Sequence, residues 1–211
     1  MAAQPERAAG MRGALFDFGG VLTTNVFDSF REFCEREDLD PLTVKRLFRE
    51  DERALAELRR LERGELTEEE FAERFGPLLG IEDSEGLVDR LFAGMKADEA
   101  MLDAVEEAKR AGVRTGLISN SWGRGRYDRD RFPRLFDGVV ISGEVGLHKP
   151  EPEIYRLGAE RVGLKPHECV FVDDLRENCA GAEAVGMTAV LHRGAETTLP
   201  RLEGLLGVGL R

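Results

Sequence analysis

Four short stretches of this chain end apolar runs on residues able to do chemistry. The run ALFDF carries Asp17 and is followed at once by Gly19 and Gly20. TGLIS ends on Ser119, with Asn120 next. The loop GEVGLHKPEP delivers Lys149 ahead of Pro150, and CVFVDD ends on Asp173 and Asp174, with Asn178 shortly after. Singly, each has a plain structural reading. An Asp before two glycines is turn chemistry, Ser-Asn opens helices as an N-cap, and Lys-Pro suits a surface turn. Two adjacent carboxylates at the end of a buried strand are harder to dismiss, because they repel unless a cation or hydrogen-bond donors stand between them. Together the four supply a nucleophilic carboxylate, further carboxylates for a divalent ion, and a cation and a hydroxyl for phosphoryl oxygens. That is the inventory of metal-assisted phosphoryl transfer.

These residues work only if the elements around them bring the strand ends together. Ala14–Phe18, Val113–Ser119, Val139–Ser142, Val170–Val172 and Thr188–Leu191 are short apolar runs and read as buried strands. Glu99–Ala111, Pro152–Val162 and Leu175–Val185 carry helical periodicity, and Gly112 and Gly186 close two of them. Strands alternating with helices predict the α/β class, with a Rossmann-like three-layer core of parallel strands between helices. In such sheets ligands collect at the carboxyl ends of the strands. The four chemical stretches fall there.

The segment from Val26 to Met95 interrupts the alternation and contains no clear strand. Phe27, Phe30, Phe33 and Cys34 share one helical face, and Val44, Leu47, Phe48, Leu55, Leu58 and Leu61 continue the period as one longer helix up to Gly64. Thr67 and Glu70 form a capping box ahead of Phe71, Phe75 and Leu78, and Leu87, Val88, Leu91 and Phe92 make a fourth stripe. The expected organisation is a core domain over residues 11–25 and 96–211, with an inserted four-helix cap over residues 26–95.

Composition narrows the class of partner. The 211 residues carry 30 Lys and Arg against 41 Asp and Glu, a net charge of −11, which argues against nucleic acid. No apolar run is long enough for a membrane span. Cys34, Cys169 and Cys179 fit no zinc or CxxC spacing, and MAAQPERAAG lacks the apolar stretch of a signal peptide. The expected compartment is the cytoplasm. Arg124, Arg126, Arg129, Arg131 and Arg134 form a basic run, either a solvated face or an attractor for an anionic substrate. His148 and His192 read as structural or solvent-exposed, and Trp122 as a pocket wall or an apolar plug. The sequence carries no sign of oligomeric state.

In order and context the four stretches resemble the motifs of the haloacid dehalogenase superfamily. The resembling segments are FDFGGVL (Phe16–Leu22), LISNS (Leu117–Ser121), Lys149-Pro150, and FVDDLREN (Phe171–Asn178) with Gly186-Met187. A narrower likeness is carried by LISNSW, VGLHKPEPEIY, VFVDDLREN and LERGELT. It points to the phosphatase domain at the N-terminus of soluble epoxide hydrolases and its free-standing bacterial relatives. The resemblance implies that Asp17 attacks phosphorus and forms an aspartyl-phosphate. It implies Mg²⁺ held by Asp17, the Gly19 carbonyl and Asp174. It gives Ser119, Asn120 and Lys149 to the phosphoryl oxygens, and Asp173 and Asn178 to orienting that shell. The implied partner is a small phosphorylated substrate.

One position departs from the family pattern. Most phosphatases of this superfamily keep a second Asp two residues after the nucleophile, and here that place is Gly19. Three outcomes stay open: another group, from the cap or from Thr23-Thr24, protonates the leaving oxygen; the substrate needs little protonic help; or the chain is a weakly catalytic phosphate-binding protein. A carbon–halogen hydrolase is the other alternative. That branch also lacks the second Asp, but it needs no metal and does not keep a pair like Asp173-Asp174.

Overall fold

The apolar runs pair into one sheet. The computed structural model describes residues 11–123, 125 and 127–210, so residues 1–10, Arg124, Arg126 and Arg211 lie outside the described residues. β1 (Gly13–Phe16), β2 (Arg114–Ser119), β3 (Gly138–Ile141), β4 (Cys169–Asp173) and β5 (Thr188–Leu191) lie in the order β3-β2-β1-β4-β5, and every neighbouring pair is parallel. β1 and β4 are buried along their whole length, as inner strands covered on both faces must be. Alternate side chains serve opposite faces. Phe16, Leu117 and Val172 pack on one side against α6 (Glu99–Arg110) and α11 (Ala195–Leu206). Leu15, Ile118 and Phe171 pack on the other against α9 (Pro152–Arg161) and α10 (Arg176–Ala184). This is the three-layer α/β core expected from the alternation.

The register places the chemistry. Phe16 pairs with both Leu117 and Val172. Asp17 therefore leaves the central strand beside Asp173, one strand away from Ser119.

Residues 26–95 hold five helices where the periodicity predicts four: α1 (Val26–Arg36), α2 (Thr43–Glu50), α3 (Glu52–Glu62), α4 (Glu68–Leu79) and α5 (Leu87–Phe92). The long second helix is broken at Asp51. Its backbone is extended, and its carboxylate accepts the N–H groups of Arg53 and Ala54, capping α3. Apolar periodicity runs straight through this break and hides it. The Thr67–Glu70 capping box opens α4. These helices enclose an apolar cluster of their own, including Phe33, Leu58, Phe71, Phe75 and Leu91, into which Trp122 reaches from the other side of the site. The chain enters and leaves them side by side: Thr24 N–H donates to Lys96 O (2.7 Å) and Asp98 N–H to Leu22 O (3.0 Å).

Three elements escape the sequence pattern. α7 (Phe132–Leu135) and α8 (Ser142–Val145) are single turns, and Ser142, which reads as the end of a strand, opens α8. α11 carries Pro200 and Gly204 inside it, which blur the usual helix signature.

Candidate active site

At the carboxyl edge of the sheet one ammonium bridges two carboxylates. Lys149 Nζ lies 2.7 Å from Asp17 Oδ1 and 2.8 Å from Asp173 Oδ2, and all three residues are buried. Asp17 is fixed from both ends: its own N–H donates to Val172 O (2.9 Å), and its Oδ1 accepts the Phe18 N–H (2.7 Å). Asp173 accepts from Leu175 N–H (2.8 Å) and from Asn178 Nδ2 (3.1 Å to each oxygen). Asn178 thus positions Asp173, which positions Lys149.

Asp174 completes the group. Ligand oxygens of Asp17, Asp173 and Asp174 lie within 4.8 Å of one another. The approach depends on Gly20, whose φ is +76° and where a Cβ would stand 2.6 Å from Asp174 Oδ2. Arg193 Nη1 holds the Asp174 carbonyl at 2.8 Å. The Gly19 carbonyl has no hydrogen-bond partner among the described residues, and Gly19 lines the same cavity as Asp17 and Asp174.

The electrostatics follow from burial. Burial pushes Asp17 up to about 8, against the pull of Lys149, and the charges of Asp173 and Asp174 add to the rise. Burial, with Asp173 beside it, likewise raises Asp174 to about 6. Burial alone would lower the Lys149 pKa, but Asp17 and Asp173 outweigh it and hold the ammonium charged. Three carboxylates against one ammonium leave two negative charges in a low-dielectric pocket, a balance that one divalent cation restores. The donor set of carboxylate oxygens and a main-chain carbonyl is hard, as Mg²⁺ prefers. The residues present therefore fit that ion.

Ser119 and Asn120 meet the site differently. Ser119 Oγ faces it and lies 3.0 Å from the Tyr127 hydroxyl, whose ring packs on Phe18. Burial pushes that phenol up to about 12. The Asn120 side chain is engaged elsewhere: Oδ1 accepts the Lys149 N–H (2.9 Å) and Nδ2 donates to Lys149 O (3.2 Å). It clamps the Lys149 main chain.

Above these groups lies a cavity of about 520 Å³. Its walls are Phe27 and Phe30 of α1, Phe48 of α2, Leu58 of α3, and Phe92 and Trp122. Trp122 contacts Phe30, Phe48 and Phe92 at ring separations of 5.6, 5.6 and 4.9 Å, so it is wall and plug at once. Helical periodicity marks these positions as apolar but cannot say that they face a ligand space. Of the basic run, Arg129, Arg131 and Arg134 pair with Glu144, Glu99 and Glu106 at the surface. His192 is structural: its Nδ1 meets Thr198 Oγ1 at 2.9 Å, and burial lowers its pKa. His148 lies in the cavity wall, with Nε2 2.6 Å from Glu62 Oε2 of α3. Neither Tyr127 nor the His148–Glu62 pair carries a local sequence signal.

Comparison with known proteins shows the family. A family model for haloacid dehalogenase-like hydrolases matches residues 11–186. The chain is similar to bifunctional epoxide hydrolase 2 of Rattus norvegicus, 30% identical over 57% of this chain and 23% of that protein. It is similar to (S)-2-haloacid dehalogenase 4A of Burkholderia cepacia, 29% identical over 52% of this chain and 50% of the other. Sesquiterpene phosphatase astK of Aspergillus oryzae is 27% identical over 93% of this chain and 97% of its own. The chain spans less than a quarter of the length of the epoxide hydrolases it matches. Among solved structures, a predicted HAD-like family hydrolase from Porphyromonas gingivalis superposes with a TM-score of 0.68 at 26% identity, over 93% of this chain and 98% of that one. Among the described residues, no helix is long and apolar enough to cross a membrane.

Proposed function

This chain belongs to the haloacid dehalogenase-like hydrolases, and from that premise we propose that it is a magnesium-dependent phosphatase with Asp17 as nucleophile. The observation that carries the reading is the third carboxylate. Carbon–halogen hydrolysis needs no metal, and Asp174 crowded against Asp17 and Asp173 would be a standing cost without a cation. Asp17, Asp174 and the Gly19 carbonyl would hold Mg²⁺. When bound, that ion supplies charge neutralisation for the phosphoryl oxygens.

The chain's own groups do the rest. Asp17, with Oδ1 tied to Lys149 and the Phe18 N–H, leaves its second oxygen to attack phosphorus and form an aspartyl-phosphate, which water hydrolyses. Lys149 and Ser119 bind the phosphoryl oxygens. Asp173 and Asn178 aim the Lys149 ammonium, and Asn120 fixes its main chain. Residues 26–95 act as a cap over a core of residues 11–25 and 96–211, covering the site and choosing the leaving group. Its aromatic wall supports a small phosphate monoester with an apolar leaving group, in keeping with the name of the Aspergillus relative. Three free, buried cysteines support a reducing, cytoplasmic setting.

A panel of phosphate monoesters assayed with Mg²⁺ tests the reading. Phosphate release should favour esters of apolar alcohols and stop in excess chelator. Chloride release from 2-haloacids in chelator, with no phosphate release, would establish the other chemistry.

The carboxylate shifts add a stability prediction. Asp17 and Asp174 ionise near 3.8 in the unfolded chain and higher in the fold, about 8 and about 6. The folded state therefore holds protons that the unfolded state has lost, and metal-free stability falls as pH rises from about 4 towards 8. Mg²⁺ binds the ionised form and should raise Tm more at pH 8 than at pH 5. Calorimetry at both pH values, with and without Mg²⁺, checks this, and an equal shift at the two would remove the carboxylate cluster as the metal site.

A further inference from the structure

We propose that His148, oriented by Glu62, is the catalytic residue that protonates the leaving oxygen; the inference rests on the phosphatase reading above. Attack by Asp17 from the sheet edge requires the leaving oxygen to depart on the opposite side, toward the helices that roof the cavity. A group that gives it a proton must line that cavity and hold a proton it can release. Gly19, two residues beyond the nucleophile, has no side chain to offer.

The other ionisable groups that line the cavity are less well suited: Lys45 Nζ lies over the Phe27 ring at 5.1 Å, and the guanidinium groups of Arg49 and Arg59 do not give up a proton. The Tyr127 hydroxyl meets Ser119, and burial holds its proton tightly. Lys149 stands between two carboxylates. Asp17 and Asp174 belong to the nucleophile and the metal site. Glu177 lies on the exposed first turn of α10.

His148 is placed for the task. It lies in the loop between α8 and α9 and meets the C-terminal end of α3, at the seam between the sheet edge and the roofing helices. Its Nε2 faces Glu62 Oε2 at 2.6 Å and Asn120 Nδ2 at 3.0 Å. Nδ1 has no hydrogen-bond partner among the described residues and is not a buried orphan atom, so it is an accessible atom on a residue that lines the cavity. With Glu62 accepting the Nε2 proton, the imidazolium carries its second proton on Nδ1, the one to be given, and after transfer the neutral ring keeps its proton on Nε2. The pair is held firmly: Ser142 Oγ donates to Glu62 O, Arg63 pairs with Glu151, and Glu151 Oε2 accepts the His148 N–H (3.1 Å).

In the first half-reaction the bond from Asp17 to phosphorus forms as the ester P–O bond breaks. The Nδ1 proton passes to the leaving oxygen and an alcohol departs. In the second half, Nδ1 takes a proton from the attacking water, the Asp17–phosphorus bond breaks, and inorganic phosphate leaves with the ring reprotonated.

The test compares an alkyl phosphate, whose leaving group needs the proton, with nitrophenyl phosphate, which needs it little. His148→Gln should lower kcat/KM on the alkyl ester by ~10²-fold and on the aryl ester only several-fold. Glu62→Gln, which keeps the volume and a hydrogen bond, should shift the same ratio by ~10-fold. Gly19→Asp in the His148→Gln background should restore alkyl turnover. Gly19 is not in the left-handed region, and a Cβ there meets only Val26 Cγ2 at 3.0 Å, so the carboxylate needs a small side-chain shift. Equal losses on both esters, or no loss, overturn the proposal. If His148→Gln does not fold, the Glu62→Gln ratio decides alone. A wild-type protein that releases phosphate from neither ester overturns the phosphatase reading itself.

Discussion

Asp17→Asn is expected to reduce phosphate release on the order of 10⁴-fold or more while the protein stays folded. The amide matches the carboxylate in size but cannot form an acyl-phosphate. Its effect on stability should run the other way from its effect on activity. Burial and two neighbouring carboxylates push Asp17 toward its neutral form, so a neutral isostere relieves strain between like charges. Lys149 keeps its contact with Asp173. In chelator at pH 8 the variant should melt no lower than the parent. Single-turnover kinetics and calorimetry read the two effects separately. Residual turnover above a few per cent would exclude a covalent route through Asp17. A clear drop in Tm would mean that the ion pair with Lys149, rather than burial, dominates the energetics of Asp17.

Lys149→Met should be the most destabilising single change at the site. The ammonium is fully enclosed and offsets two buried carboxylates at 2.7 and 2.8 Å. Removing one partner of such a group costs about 3–5 kcal/mol, which for a chain of this size is roughly 10 °C in Tm. The loss should depend on pH. With the ammonium gone, Asp17 loses the one neighbouring cation that favours its charge while burial, Asp173 and Asp174 still disfavour it, so the penalty grows as pH rises through the range where Asp17 ionises. Denaturation at pH 5 and pH 8 should show the larger deficit at pH 8. A deficit equal at both would point to lost packing. Turnover should fall by ~10³-fold, since the phosphoryl oxygens lose a preorganised charge.

The reach of sequence reading differs from residue to residue. Asp17, Ser119 and Asp173 stand out because each closes or follows an apolar run, and a parallel sheet gathers all such ends at one edge, to which the loop after β3 delivers Lys149. The Thr67–Glu70 box is legible because both partners lie within one helical turn. The break at Asp51 is not, because capping breaks the backbone without interrupting the apolar stripe.

The chain's residues, by type and order, determine an α/β core, a helical insertion and the chemistry at the strand ends, because strand alternation, helical periodicity and motif residues are encoded within a few neighbouring positions. Only tertiary packing decides what surrounds that chemistry. It turns Asn120 toward the Lys149 main chain, makes a cavity wall of Phe27, Phe30 and Phe48, and brings Glu62 to His148 across 86 residues. These contacts depend on how α1, α2 and α3 dock over the edge of the sheet. That docking is set by shape and burial summed over many side chains, and no short stretch of sequence contains it.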